Sequence, residues 1–341
     1  MGWFKKDPLQ IITFQSYGTD SHFYIRGRAL EDENIDLSKN GLFSLIKNTY
    51  KRFETDEIPF TKLKITLPND SVYYTKTDKR GYFKFKENIR GLAEMTNEEG
   101  WLPYEISFEE TFSKRVINNN NRFPGKMLIS SSWSSPQVKK TEFGVISDID
   151  DTILQTGVTS FLKLKLIFNT FFRNAESRSP LQGASKFYQL LHQGKTGKEA
   201  NPLFYVSHSP WNLYRYLALF LKANNFPKGP ILLRSFPTPF RRKEKEEKPQ
   251  KQQEILDILE TYPKMSFILI GDSGEHDADI YIEIAQKFPK RIKAIYLRSV
   301  THKKKMARIR GLFSSFEITP VLLVSDSKEA IAHARSLGFI A

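Results

Sequence analysis

Residues 143–152 read FGVISDIDDT, an apolar run that gives way at Ser147 to Asp148, Asp150, Asp151 and Thr152. A short continuous apolar run is what a strand buried on both faces requires. The acids that end it belong at that strand's carboxyl end. The same rhythm recurs at residues 203–206 (LFYV), 267–270 (FILI), 292–297 (IKAIYL) and 321–324 (VLLV). Helical spacing falls between these runs, in Leu213, Leu217, Phe220 and Leu221, in Ile255 and Leu259, and in Ile280, Ile284 and Phe288. Strands alternating with helices imply a Rossmann-like α/β domain with a parallel sheet covered on both faces, over residues 141–341.

Upstream the pattern differs. Residues 22–30, 61–67, 71–77, 82–86 and 101–108 are short, β-branched and aromatic-rich, and they are divided by turn residues such as PND at 68–70. Alternation at Val72/Tyr74 and Tyr82/Lys84 suits antiparallel strands with one face covered. Residues 1–140 are therefore expected to form an all-β, sandwich-like N-terminal domain. One helix is expected at 41–53, and loops at 118–121 and 130–137.

The 341 residues include no cysteine, which excludes disulfides, thiolate metal sites and a cysteine nucleophile. No window reaches the roughly 20 apolar residues that span a bilayer, and the first ten residues lack a signal peptide's apolar run. The expected location is cytoplasmic, with a peripheral membrane contact allowed. The net charge of +14 suits a polyanionic partner: anionic lipid, a phosphorylated substrate or nucleic acid. The mixed-charge run at 241–251 (RRKEKEEKPQK) reads most simply as a solvated linker.

Ligands of open α/β sheets bind at the carboxyl ends of strands. Three such ends carry chemistry here. SDIDDT follows the first run, Ser207-His208-Ser209-Pro210 follows the second, and Gly271-Asp272-Ser273 follows the third, with Asp277 close behind. Crowded carboxylates repel unless a cation lies among them. Oxygen donors without His or Cys point to Mg²⁺, which commonly joins carboxylates to a phosphate oxygen.

These motifs resemble the haloacid dehalogenase phosphatases, whose nucleophile signature Asp-x-Asp-x-Thr matches residues 148–152. Ser207, Lys251 and Gly271-Asp272 with Asp277 follow in the family's order. SDIDDTI, YVSHSPWNLY, FILIGDSGEHD and AIYLRSV are similar to the catalytic domain of the Mg²⁺-dependent phosphatidate phosphatases of the actin-patch-associated type. The resemblance implies that Asp148 attacks phosphorus and that Asp150 serves as general acid and then base, with Asp151 and Thr152 orienting the loop. Mg²⁺ would be held by Asp148, Asp150 through its backbone carbonyl, and Asp272, with Asp277 as ligand or support. Ser207 and Lys251 would bind the phosphoryl group.

Ser209 and Arg298 are further candidates for substrate contact. Ser209 before Pro210 also fits a helix N-cap. His208 and His276 read as bystanders. Lys243, Lys245 and Lys248 compete with Lys251, which is preferred because it begins a helix. Residues 161–172 (FLKLKLIFNTFF) suit a core helix, a cap or a membrane contact. The expected activity is hydrolysis of phosphatidate to diacylglycerol and phosphate. The alternatives are a soluble, protein or nucleic-acid phosphomonoester as substrate, or an inactive phosphatase-like protein that binds lipid or serves as an adaptor.

Overall fold

The computed structural model describes residues 7–31, 57–109, 115–129, 141–149, 152–153, 183–234, 249–273, 276–299 and 303–341. The expected helix at 41–53, the loop at 130–137 and the segment 161–172 lie outside these residues. Contacts divide the chain into two compact units, Met1–Val138 and Lys139–Ala341.

The first unit holds strands β1 (Leu9–Phe14), β2 (Ser16–Gly18), β3 (Phe23–Glu31), β4 (Lys62–Thr66), β5 (Val72–Lys76), β6 (Tyr82–Glu87), β7 (Trp101–Phe108) and β8 (Phe123–Ile129). They form two sheets, β1-β3-β6 and β2-β8-β7-β4-β5. Side chains at alternate positions of both sheets, among them Phe23, Ile25, Leu63, Ile65, Ile106 and Met127, share one buried core. β1, β2 and β8 were absent from the sequence expectation. Phe123-Pro124-Gly125 has the composition of a turn, yet it opens a strand that pairs with β7. On β5 the inward face carries Tyr73 and Thr75, while Val72 and Tyr74 are exposed. The polar run at 118–121 is a tight turn whose Asn121 side chain bonds both backbone polar groups of Phe108 at 2.8 Å.

The second unit is an α/β layer structure. Strands β9 (Gly144–Asp148), β10 (Leu203–Pro210), β11 (Ile231–Arg234), β12 (Phe267–Asp272), β13 (Ile292–Arg298) and β14 (Val321–Val324) form one sheet. Every pairing in it is parallel, in the order β11-β10-β9-β12-β13-β14. β11 was the missed member, a run of only four residues (ILLR) behind two prolines. The helices are α1 (Ala184–Gln193), α2 (Tyr214–Ala223), α3 (Gln250–Thr261), α4 (Asp277–Lys287), α5 (Lys303–Phe313) and α6 (Ser327–Ser336).

Chain order reverses between β9 and β12. The first strand of the unit thus lies beside the fourth, and such a switch opens a crevice at the carboxyl ends. Aromatic packing fixes α1 against the sheet: Tyr188 stacks on Tyr205, and Phe187 meets Tyr296 edge-on.

Candidate active site

Asp148 is the last residue of β9 and is buried. Its register partner on β10 is Val206, so Ser207 is the next residue along that neighbour. On the other side Ser147 pairs with Ile270, and Gly271 and Asp272 complete β12. Three motifs far apart in sequence are thereby placed on adjoining strands, at the reversal of strand order.

Lys251 reaches this point from a helix. It is the second residue of α3, and its Nζ lies 2.7 Å from Asp148 Oδ1 and also bonds Asp277 Oδ1. Burial by itself would lower this lysine's pKa, but the charges of Asp148 and then Asp277 outweigh burial and raise it above the ordinary value. The side chain is therefore a fixed cation.

Asp277 opens α4, and its other oxygen accepts the backbone N–H of Asp272 at 3.2 Å. One carboxylate thus positions both the ammonium and the strand end. Gly271 makes this approach possible, because a Cβ there would lie 2.8 Å from Tyr281 Cε2 and closer still to Asp277 Oδ2. Tyr281, one turn after Asp277, donates to the carbonyl of Ile270 at 2.9 Å.

The carboxyl end of β9 is held as firmly. Thr152 Oγ1 donates to Asp148 Oδ2 at 3.3 Å. Ser147 Oγ donates to the carbonyl of Asp148 at 2.8 Å and contacts the Tyr188 hydroxyl at 2.6 Å. Burial raises the Tyr188 pKa, so this hydroxyl stays protonated near neutrality. Ser273 Oγ donates to the carbonyl of Arg298 at 2.6 Å, tying the end of the third motif to β13.

Ser207 and Ser209 are both buried, and the Ser209 N–H donates to Ser207 Oγ at 2.9 Å. Ser209 does not cap a helix. β10 continues through Pro210, which pairs with Arg234, and a 3₁₀ turn at Trp211–Leu213 precedes α2. Arg298 ends β13 opposite Asp272 and lines a cavity of about 250 Å³. Thr152 and Arg298 lie at that cavity together with the rings of Phe187, Tyr188 and Tyr296. His208 is half-buried on β10, and His276 is exposed just before α4.

Asp150, Asp151 and the competing lysines 243, 245 and 248 lie outside the described residues. Among the described residues no three His, Cys, Asp or Glu side chains stand at metal-holding distance. Asp148 and Asp272, at neighbouring strand ends, are hard oxygen donors of the kind that Mg²⁺ takes. Tyr188, Tyr281 and Ser273 were not singled out in the sequence. For Tyr281 a signal existed, since it follows Asp277 by four residues and so shares its helix face. Tyr188 and Ser273 gave none, because their partners are distant in sequence.

Residues 143–299 match the family model described as the catalytic domain of phosphatidate phosphatase APP1. The motifs that carry the sequence resemblance lie within this stretch, save Val300 at the end of the last. The phosphatidate phosphatase APP1 of Saccharomyces cerevisiae is 37% identical over 171 residues, which make up 50% of this chain and 28% of that protein. An uncharacterized protein of Schizosaccharomyces pombe is 27% identical over 212 residues, 60% of this chain and 34% of the relative. The chain thus spans about a third of the length of these curated relatives. A crystal structure of Bacteroides thetaiotamicron EndoBT-3987 with a Man5GlcNAc product aligns over 84% of this chain and 77% of its own. Its 8% identity and TM-score of 0.21 carry no argument.

Proposed function

From the similarity of residues 143–299 to a phosphatidate phosphatase catalytic domain, we propose that the protein is a Mg²⁺-dependent phosphomonoesterase of the haloacid dehalogenase type acting on phosphatidate. In this reading residues 141–341 are the catalytic domain, and residues 1–140 form a β-sandwich-like domain that precedes it in the sequence. The observation that carries the reading is the buried ammonium of Lys251 bridging Asp148 and Asp277, with Ser207 on β10 and Asp272 at the end of β12 on the neighbouring strands.

Asp148 attacks phosphorus through a carboxylate oxygen as the bond to the lipid alkoxide breaks, leaving an aspartyl-phosphate. Asp150 donates the proton that the alkoxide takes up, giving diacylglycerol. It then removes a proton from the water that attacks phosphorus, the bond to Asp148 breaks and phosphate leaves. Lys251 is already charged and fixed, so it opposes the charge gathering on the phosphoryl oxygens without reorganising. In this reading Ser207, whose Oγ accepts the N–H of Ser209, donates its hydroxyl to a phosphoryl oxygen of the bound substrate. Asp148, Asp272 and the carbonyl of Asp150 would hold Mg²⁺, which when bound supplies charge neutralisation between carboxylates and phosphate. Arg298 and the ring-lined cavity beside Thr152 suit the ester-bearing part of a lipid.

No helix among the described residues is long and apolar enough to cross a membrane. We take the protein to be cytoplasmic and to meet its lipid substrate at the bilayer surface. Purified protein with Mg²⁺ and phosphatidate in mixed micelles should release phosphate and diacylglycerol in equal amounts. Inert phosphatidate with active turnover of a soluble phosphomonoester would reassign the substrate. Inertness towards both would leave the adaptor reading.

A further inference from the structure

β4 and β5 pair so that Lys62 faces Lys76, Lys64 faces Tyr74, and Thr66 faces Val72. These residues form the outer face of the strand pair, because their alternate neighbours Leu63 and Ile65 enter the core. Phe60, just before β4, joins them, with Lys76 Nζ 5.9 Å from its ring centroid. Lys62 Nζ lies 4.5 Å from the Tyr74 centroid.

This face is costly for a surface that meets only water. Phe60, Val72 and Tyr74 are 59%, 38% and 47% exposed, and they are three of the six large apolar side chains left exposed among the described residues. Phe60 has φ of 52°, a left-handed conformation that a bulky residue adopts only under strain. Lys62 and Lys76 stand directly opposite each other, and like charges in that position repel. Glu109 pairs with Lys62 at 2.7 Å and relieves part of the repulsion. Lysines do guard the edges of sheets, and β5 ends its sheet. Edge protection explains Lys76 but not the exposure of Phe60, Val72 and Tyr74.

We propose that the outer face of β4 and β5, with Phe60, is a docking surface for an anionic bilayer. Lysines approach the headgroups there, the tyrosine ring lies at their level, and Phe60 and Val72 reach the boundary of the acyl region. The aliphatic Val72 has no ring face on which a base could stack, so the patch is poorly matched to single-stranded nucleic acid, which takes cations and aromatic platforms. The proposal rests in part on the lipid-phosphatase reading, which requires access to a bilayer.

The test is sedimentation of the full chain with vesicles of phosphatidylcholine alone, or with phosphatidylserine or phosphatidate added. The parent should sediment with both anionic compositions and not with the neutral one. K64Q/K76Q should lower the partition about fivefold per lysine, from about 1 kcal/mol for each cation near an anionic surface. F60N/Y74T should lower it independently, because Asn tolerates the left-handed backbone and Thr suits a strand. All four substitutions should leave hydrolysis of a soluble phosphomonoester and the thermal midpoint near parental values. Sedimentation unchanged in the variants would overturn the proposal. So would binding to phosphatidate vesicles alone, which assigns attachment to the active site, or loss of oligonucleotide binding with vesicle binding intact. A parent that sediments with both anionic vesicles, but releases no phosphate from any substrate, would sustain the docking surface and sink the phosphatase reading.

Discussion

Lys251 on α3 and Asp148 at the end of β9 meet at 2.7 Å with their side chains 0% and 1% exposed, and Asp277 holds the same ammonium from α4. Solvating water has been replaced by two carboxylates. Removing the cation leaves those two anions buried together. Lys251→Met should therefore cost about 3–5 kcal/mol of stability, the range for breaking one side of a buried ion pair. Adding Asp277→Asn should restore part of the loss, because it removes one of the stranded charges. Urea denaturation of the three proteins checks this. A double variant no more stable than the single one would mean that the charge triad is not what holds α3, β9 and α4 together.

Asp148→Asn separates chemistry from architecture. The amide oxygen can still accept from Lys251 at the Oδ1 position, whereas the NH₂ that replaces Oδ2 can no longer accept from Thr152 Oγ1, so the substitution should cost no more than about 3 kcal/mol, the upper value for a hydrogen bond to a charged group. Turnover should fall by about 10⁴-fold or more, as it does when a covalent nucleophile is removed. Phosphate release from a soluble substrate gives the rate. Appreciable residual activity would remove Asp148 from the nucleophile's role.

The parallel sheet was legible because each long strand declares itself as an apolar run ending in polar residues, as at 143–148 and 267–272. The placing of Asp148 and Asp272 at neighbouring strand ends was legible for the same reason, since strand ends are where the polar residues had to be placed. β11 was not legible, because its apolar run is only three residues long before Arg234, where the equally short β14 is apolar throughout (VLLV). Nor was β8, whose strand identity comes from pairing with β7 and not from local propensity. The choice of Lys251 over its neighbours followed from helix rigidity, and the described geometry places that residue at Asp148. The bridging action of Asp277 was illegible, because it depends on how closely α4 approaches β12.

That approach depends on Gly271. A methyl group there must displace Asp277 or Tyr281. Gly271→Ala should destabilise the fold by about 1–3 kcal/mol, as overpacking does. It should also lower kcat more than it raises KM, because the displaced Asp277 no longer positions Lys251. Tyr281→Phe, which loses only the bond to Ile270, should lower stability with a smaller effect on kcat. Equal kinetic effects of the two substitutions would argue against a positioning role for Asp277.

Metal binding has a readout independent of turnover. If Asp148 and Asp272 hold Mg²⁺, the cation binds the folded state and raises its stability by about 2.7 kcal/mol at a concentration one hundred times the dissociation constant. Chelator-treated protein should gain thermal stability on addition of Mg²⁺, and Asp272→Asn should abolish the gain. A variant that responds to Mg²⁺ as the parent does would place the ion elsewhere.

The dependence of stability on pH follows from the buried hydroxyls. Burial raises the pKa of Tyr188, Tyr205, Tyr281 and Tyr296. Lys251 is also raised, because Asp148 and Asp277 overcome the opposing effect of its burial. For every one of these groups the folded protein binds its proton more tightly than the unfolded chain. Their contribution is therefore fully present below the unfolded values, about 10 for tyrosine and 10.4 for lysine, and is lost as pH rises from there through the folded values. Between pH 7 and 9 these groups should leave the urea midpoint flat, and above about pH 10 it should fall steeply. Tyr188→Phe removes one titrating hydroxyl, so its alkaline fall should be shallower than the parent's even if its stability at pH 7 is lower. An alkaline limb of unchanged steepness in Tyr188→Phe would show that the Tyr188 hydroxyl, buried against Ser147, is not among the groups whose ionisation unfolds the protein.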